Sequence, residues 1–217
     1  MEVYNLKSKK TLILFFALAM VATACSSAAV PCDEVEITTG ENGLPDLDGC
    51  EFTFAVENAY LPFNYIDAET GEAMGWDYDV FNYMGELMNF TPVYVPTAWD
   101  GMIQATADGQ FMIAGDGITI TAERDEIVDF SNGYINLAQR VLVASGNTEI
   151  TSLQDLIDGD YTVATQKGTT NYEFAVSALG EDKVQAFDDF NFAIQAVISG
   201  DADASVSYTH LRAHETG

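Results

Sequence analysis

Strand-like and helix-like segments alternate along most of this chain, and their order limits the folds open to it. Apolar and polar residues alternate over residues 52–56, as in a strand, and residues 80–88 carry apolar side chains at helical spacing. A strand over 91–95, a helix over 100–107 and a strand over 111–114 follow. This order predicts an α/β unit with a mostly parallel sheet, flanking helices and right-handed crossovers.

A second α/β unit is predicted after a long strand over residues 137–144. Ser145-Gly146-Asn147 is the best position for the chain to cross between the units. Helical segments then alternate with further strands over residues 161–164, 184–187 and 204–206. We therefore assign residues 50–144 to the first unit and residues 145–207 to the second.

The first 25 residues have the pattern of an export signal. Three Lys residues precede an apolar run over 11–22 that is too short for a comfortable membrane span. The run meets Ala22-Thr23-Ala24-Cys25, which resembles a bacterial lipobox, although plain cleavage after Ala-x-Ala is the competing interpretation. We expect an exported protein, periplasmic or on the cell surface, with a lipid on Cys25 as its membrane anchor.

The chain is strongly acidic, with 8 Lys and Arg residues against 34 Asp and Glu residues. Residues 1–25 contain three of the Lys residues and one Glu, so the remaining body has 5 basic and 33 acidic residues and a net charge of −28. Phosphate contacts need clustered Lys and Arg. Nucleic acid and anionic lipid surfaces are therefore poor partners for this body.

The three Cys residues predict a disulfide and no metal site. If Cys25 carries a lipid, Cys32 and Cys50 remain as a pair in an oxidising compartment. There is no Cys-x-x-Cys, and both His residues lie in the last eight positions, so we expect neither a metal nor a cofactor. Residues 26–49 are small, acidic and turn-rich, and we expect them to form a flexible tether.

Arg124 occupies an unusual position for a cation. If Thr121 caps a helix, Arg124 is its third residue, where the positive end of the helix dipole disfavours a cation. An anionic ligand would explain the position, because helix N–H groups, Thr hydroxyls and the guanidinium would all meet one charge. The alternative is a surface ion pair with one of the neighbouring carboxylates, Glu123, Asp125 or Glu126.

Seven motifs occur in the order found in one family of binding proteins. They are Leu61-Pro62-Phe63, Gly75-Trp76-Asp77-Tyr78-Asp79, Ala98-Trp99-Asp100-Gly101-Met102-Ile103, Gly117-Ile118-Thr119-Ile120-Thr121-Ala122-Glu123-Arg124, Val128-Asp129-Phe130-Ser131, Thr151-Ser152-Leu153-Gln154-Asp155-Leu156 and Gly168-Thr169-Thr170. With them the chain resembles bacterial extracellular solute-binding proteins of the polar amino acid type, the receptor components of ABC importers. The resemblance covers residues 52 to about 206.

The resemblance implies a two-lobed periplasmic-binding-protein-like fold that closes on one amino acid. In this family the ligand's α-carboxylate is bound by residues that match Arg124, Gly117, Thr119 and Thr170 here. Helix N-termini from both lobes would then converge on one anion, so that closure is favoured only with ligand present.

The remaining candidate residues match positions around the ligand side chain. Tyr60 and Trp99 match the aromatic residues that sandwich it, although a Trp before a helix also suits a core anchor. Glu57 matches a position that is often acidic, and Gln166 matches a variable position at a strand end of the second lobe, next to Lys167. Lys167 suits either a site role or a surface ion pair.

Asp116 departs from the family, which commonly has a small residue at this position. It either lines the cleft and binds a cationic group of the ligand, or it is a turn Asp that accepts hydrogen bonds from nearby amides. Glu57 and Asp116 together favour a cationic or an amide ligand.

A second departure lies at Tyr208, where the family has an Asp that pairs with the ligand amine. Residues 208–217 resemble translated adapter sequence, so we expect a non-native tail, an incomplete second lobe and no functional residue after about Ser207.

Taken together, the sequence predicts a non-catalytic, monomeric receptor for a polar amino acid that delivers its ligand to an ABC importer permease. One rival is an enzyme on the same fold, a dehydratase of the cyclohexadienyl type, with Glu57 or Asp116 as acid or base. Another rival is a sensory ligand-binding module.

Overall fold

The computed structural model describes residues 30–208, which form an α/β protein with two main sheets. Its strands are β1 (Thr38–Thr39), β2 (Pro45–Asp46), β3 (Cys50–Val56), β4 (Ala59–Tyr60), β5 (Asn64–Ile66), β6 (Ala73–Met74), β7 (Phe90–Pro96), β8 (Ile113–Ala114), β9 (Gln139–Val143), β10 (Val163–Gln166), β11 (Val184–Phe187) and β12 (Ala204–Tyr208). Its α-helices are α1 (Trp76–Met88), α2 (Met102–Ala107), α3 (Ala122–Asp125), α4 (Leu153–Asp158), α5 (Thr170–Leu179) and α6 (Phe190–Ser199).

The first lobe is built on a parallel sheet with the strand order β7-β3-β8. Its core contains Phe54 and Phe90, and the Phe81 ring of α1 stacks on Phe54 at 4.3 Å between centroids. The predicted helix face is only partly covered, because Met84 and Leu87 remain 37% and 36% exposed. The parallel pairing of β3 with β7 and β8 confirms the parallel sheet that the sequence predicted for this lobe.

The second lobe contains the sheet β11-β10-β12-β9. Strand β10 pairs in parallel with β11 and β12, whereas β9 pairs antiparallel with β12 over five residues. Val163, Leu156 and Val206 are buried in its core with α4 and α5 against them. The sheet is thus mostly parallel, with one antiparallel edge strand.

The position of β9 corrects the predicted lobe boundary. The sequence assigned this strand to the first unit and placed the crossing at Ser145-Gly146-Asn147, but all of β9 pairs with β12 of the second sheet. The crossing therefore lies before Gln139, in the segment that follows α3. Periodicity marks β9 as a strand, but only the long-range pairing with residues 204–208 decides its sheet.

Several strand lengths also differ from the prediction, among them those of β8 and β12. Strand β8 has only two residues, Ile113–Ala114, because only these pair with Phe54 and Ala55. Strand β12 is longer than expected and runs through Tyr208, which pairs with Gln139.

The segment 30–49 is packed on the first lobe, so the prediction of a flexible tether over 26–49 is wrong for these residues. Strands β1 and β2 form a hairpin, and Leu47 is 4% exposed in the core of the first lobe. Cys32 and Cys50 form a disulfide that joins this segment to the start of β3. Buried apolar side chains and a disulfide therefore hold in place a segment that composition alone predicts to be a flexible linker.

A small antiparallel sheet, β4-β5-β6, covers the end of β3 and holds Tyr60 beside the cleft. Within residues 30–208, no helix has the length and apolar character needed to cross a bilayer. The export signal, Cys25 and residues 209–217 of the predicted tail lie outside the described residues.

Candidate functional site

A cavity of about 420 Å³, counted with its open mouth, lies between the two lobes. The nine residues predicted from the sequence all line it; they are Glu57, Tyr60, Trp99, Asp116, Gly117, Thr119, Arg124, Gln166 and Thr170. Four further lining residues were not predicted as ligand contacts; they are Thr169, Asn171, Phe190 and Tyr208. Most of these residues follow a strand or begin a helix, where side chains from both lobes face each other.

Arg124 points into this cavity from the start of α3. Thr121 caps the helix by accepting a hydrogen bond from the Arg124 backbone N–H at 3.2 Å, as its sequence position predicts. The guanidinium donates to the Thr119 carbonyl at 2.9 Å and to the Gly168 carbonyl at 3.2 Å. Its carbon lies 5.1 Å from the centroid of the Trp99 ring.

The Arg124 charge is buried and has no anionic partner within residues 30–208. Only 9% of the residue is exposed, and no Asp or Glu of this part of the chain lies within ion-pairing distance of it. The surface pair with Glu123, Asp125 or Glu126 is therefore not formed. Burial lowers the pKa of the guanidinium, so a carboxylate placed here would relieve the cost of burying the cation.

The start of α5 faces Arg124 from the second lobe. Thr169 caps this ten-residue helix by accepting a hydrogen bond from the Tyr172 N–H at 3.2 Å, so Thr170 is its first helical residue. The first N–H groups of a helix have no partner inside the helix and carry partial positive charge. The cavity therefore has a guanidinium on one side and a helix N-terminus on the other, an arrangement that suits a carboxylate.

Gly117 leaves room for the aromatic ring beside it. It has a φ of 57°, and a Cβ at this position would lie 2.8 Å from Cε1 of Tyr60. Within residues 30–208 the buried Tyr60 hydroxyl has no hydrogen-bond partner, and burial raises its pKa, so it stays protonated. Gly117 thus lets Tyr60 form a wall of the cavity.

Glu57 follows β3 and contacts the second lobe directly. The Gln166 side-chain amide donates to Oε1 of Glu57 at 2.6 Å and to the Asp188 carbonyl at 3.0 Å. Burial is the main cause that raises the pKa of Glu57 to about 7, and the nearby charge of Asp189 adds to it.

Asp116 accepts a hydrogen bond from the Glu57 backbone and is 4% exposed. The Asn64 amide donates to Oδ1 of Asp116 at 2.5 Å and to Oδ2 of Asp77 at 2.8 Å. Burial, followed by the charge of Glu57, raises the pKa of Asp116 well above its usual range. Both alternatives from the sequence apply in part, because Asp116 accepts hydrogen bonds from the protein and also lines the cavity.

Lys167 forms the ion pairs that the sequence left as one alternative. Its ammonium lies 2.7 Å from Asp188 and 3.5 Å from Asp100 of the first lobe, and its side chain is 44% exposed. It is not among the residues that line the cavity.

Two of the unexpected lining residues, Tyr208 and Asn171, bring further polar side chains to the cavity. The Tyr208 hydroxyl lies 2.6 Å from Oγ1 of Thr170 and 3.2 Å from Oγ1 of Thr119, although the sequence analysis expected no functional residue after Ser207. Asn171 is 4% exposed and donates to the Val206 carbonyl, while its Oδ1 has no partner within the described residues. Its place directly after Thr170 was the available sequence signal.

Comparison with known proteins identifies the family. The profile of the family described as "Bacterial extracellular solute-binding proteins, family 3" matches residues 52–199. The chain belongs to this family. The match covers both lobes and contains all nine predicted cavity residues.

Individual relatives include binding proteins and enzymes. The chain is 32% identical to a protein of Neisseria gonorrhoeae named "Probable histidine-binding protein", over 73% of this chain and 59% of the relative. It is 29% identical to a cyclohexadienyl dehydratase of Pseudomonas aeruginosa, over 69% of this chain and 56% of that enzyme. The chain thus spans less than two thirds of the length of these relatives.

A solved structure shares the two-lobed fold. It is the ancestral amino acid-binding protein AncCDT-1, described as a precursor of cyclohexadienyl dehydratase. The TM-score is 0.69 at 36% sequence identity, over 73% of this chain and 70% of that protein.

Proposed function

We propose that this protein captures a free polar amino acid between its lobes and delivers it to the permease of an ABC-type importer, without chemistry. The observation that carries this proposal is Arg124, a buried cation without an anionic partner in the described part of the chain, facing the N-terminus of α5. A carboxylate between the two would gain charge-assisted hydrogen bonds from both lobes. Closure is then favoured by ligand, because neither lobe alone completes the site.

The family supports the rest of the proposal. Solute-binding proteins of this family are extracellular, and the relatives named above include an amino acid-binding protein. We propose a monomer that is held at the membrane by a lipid on Cys25 and needs neither a cofactor nor a metal. The acidic body makes nucleic acid a poor partner.

Isothermal titration of the purified protein against the twenty amino acids tests this function. We expect binding of at least one of them, and loss of that binding in Arg124→Ala, because the α-carboxylate loses its cationic partner. Arg140→Ala is the matched control, since Arg140 is an exposed Arg on β9. Unchanged affinity in Arg124→Ala, or binding of no amino acid by the wild type, contradicts the proposal.

A dehydratase activity is the second candidate function, and the raised pKa of Glu57 favours it. A carboxyl with a pKa of about 7 beside the cavity suits a general acid, and one relative is a cyclohexadienyl dehydratase. Incubation with prephenate, with product detected by chromatography, decides between the two functions. Product that forms with the wild type and not with Glu57→Gln establishes the enzyme, and absence of product rejects it.

A further inference from the structure

The cavity lining carries two carboxyl groups and one cationic side chain. Glu57 and Asp116 both line it, and neither forms an ion pair with a Lys or Arg of the described residues. With both carboxylates ionised and Arg124 charged, these three side chains sum to one negative charge. A neutral zwitterion leaves that charge buried, whereas a ligand of charge +1 balances it.

Asp116 is held in place by hydrogen bonds from the buried Asn64 side chain and from the backbone of Glu57. Asn64 is fully buried and binds Asp116 and Asp77 with one amide nitrogen. The Glu57 backbone N–H also donates to Asp116. The carboxylate is therefore oriented before any ligand arrives, and such preorganisation reduces the cost of binding.

Two neutral acceptors without partners lie on the same cavity. The Tyr60 hydroxyl is 9% exposed and Asn171 is 4% exposed, and neither Tyr60 Oη nor Asn171 Oδ1 has a hydrogen-bond partner in the described part of the chain. Unsatisfied buried polar atoms are costly. A ligand with several N–H donors would satisfy them together with the two carboxylates.

We propose that the ligand is an amino acid with a positively charged side chain, and that Asp116, positioned by Asn64, is the residue that selects it. This inference rests on the proposed function, because Arg124 binds the α-carboxylate in both. Glu57 and Asp116 bind the cationic end of the ligand. The class comprises lysine, ornithine and arginine, and it excludes acidic, aliphatic and amide side chains.

The protonation of the empty site agrees with this charge balance. The groups that face the two carboxylates are acidic or neutral; they are Asp77, Asp189, Tyr60, Tyr78 and Tyr134. Each carboxyl has a raised pKa, and burial is the first cause in both. A ligand cation favours the ionised form of each carboxyl, so its binding favours proton release.

Isothermal titration with lysine, arginine, glutamine and glutamate at pH 8 tests the class of ligand. We expect the wild type to bind lysine or arginine at least tenfold more tightly than glutamine, and to bind glutamate weakest. Asp116→Asn keeps the shape of the side chain and removes its charge, so it should lose at least tenfold for the cationic ligands and little for glutamine. Asp182→Asn, the same change at an exposed position, should alter neither.

The outcomes separate this inference from the proposed function. If the wild type prefers glutamine, or if Asp116→Asn weakens both ligands equally, the inference is wrong while the amino acid receptor stands. Binding of no amino acid contradicts both. Circular dichroism of Asp116→Asn checks that it is folded, and the ligand ranking of the wild type decides the question even if that variant does not fold.

Discussion

The affinity for a cationic ligand should fall as the pH is lowered from 8 to 6. Glu57 has a pKa of about 7 in the folded, empty protein, so it is mostly protonated at pH 6 and mostly ionised at pH 8. A bound cation favours the ionised form, and therefore the proton must leave before or during binding. The affinity therefore falls as the pH is lowered, because a proton and the ligand cation compete for one carboxylate.

The size of this fall in affinity follows from the ionisation of Glu57 alone. With a pKa of about 7, the protonated fraction reduces the affinity by a factor of about 11 at pH 6 and about 1.1 at pH 8. The affinity for arginine or lysine should therefore fall about tenfold between pH 8 and 6, which corresponds to about 1.4 kcal/mol. Asp116, whose pKa is also raised, adds to the fall and does not reverse it.

Calorimetry at pH 6, 7 and 8 measures both the affinity and the proton release. Repeating each titration in two buffers of different ionisation enthalpy gives the number of protons released, which we expect to be at least about 0.9 at pH 6, the share from Glu57 alone. Glu57→Gln should flatten the pH dependence, whereas Glu181→Gln, at an exposed position, should not. An affinity that is constant from pH 6 to 8, or proton uptake on binding, contradicts competition between the proton and the ligand cation for Glu57.

Three further perturbations test other parts of the site and fold. Gly117→Ala should weaken amino acid binding in titration calorimetry, because the new Cβ would meet the Tyr60 ring. Gly146→Ala is the control, since Gly146 has a similar positive φ and open space around it. Equal effects of the two substitutions on binding contradict the steric explanation. Cys32→Ser should lower the free energy of unfolding by about 3 kcal/mol in urea titrations, because the disulfide closes a loop with a sequence separation of 18. An unchanged midpoint of urea unfolding contradicts this stabilisation. Cys25→Ser should move the exported protein from the membrane to the soluble fraction on immunoblots, and retention in the membrane contradicts the lipid anchor.

The cavity lining was accessible from the sequence because its residues occupy local, recognisable positions. Thr121 and Arg124 open one helix, Thr170 opens another, and Glu57 and Gln166 stand at strand ends. In α/β folds the carboxyl ends of parallel strands gather at one edge of each sheet. Periodicity placed these residues at strand ends and helix starts, and the resemblance carried by the motif order predicted that they share one ligand site.

The residues that support the cavity lining could not be predicted from the sequence in the same way. Asn64 meets Asp116 across 52 positions and Asp77 across 13, and no local pattern marks a side chain that joins two carboxylates. The packing of residues 30–49 likewise depends on Leu47 and Cys32 finding partners in the first lobe. Such contacts are set by tertiary structure, whereas composition describes only the polar residues around them.

The hydrogen bond between Gln166 and Glu57 adds a reason for selection by charge. It joins the two lobes at 2.6 Å in the empty protein, so a ligand that uses Glu57 must compete with an amide that is already there. An amide ligand would replace one amide-to-carboxylate hydrogen bond with another of the same kind and gain little. A cationic side chain forms a hydrogen bond to ionised Glu57 in which both partners are charged, and therefore displaces Gln166 with a net gain. Because a ligand shifts an equilibrium only through its difference in affinity between the two states, closure around a cation should be more favourable than closure around an amide.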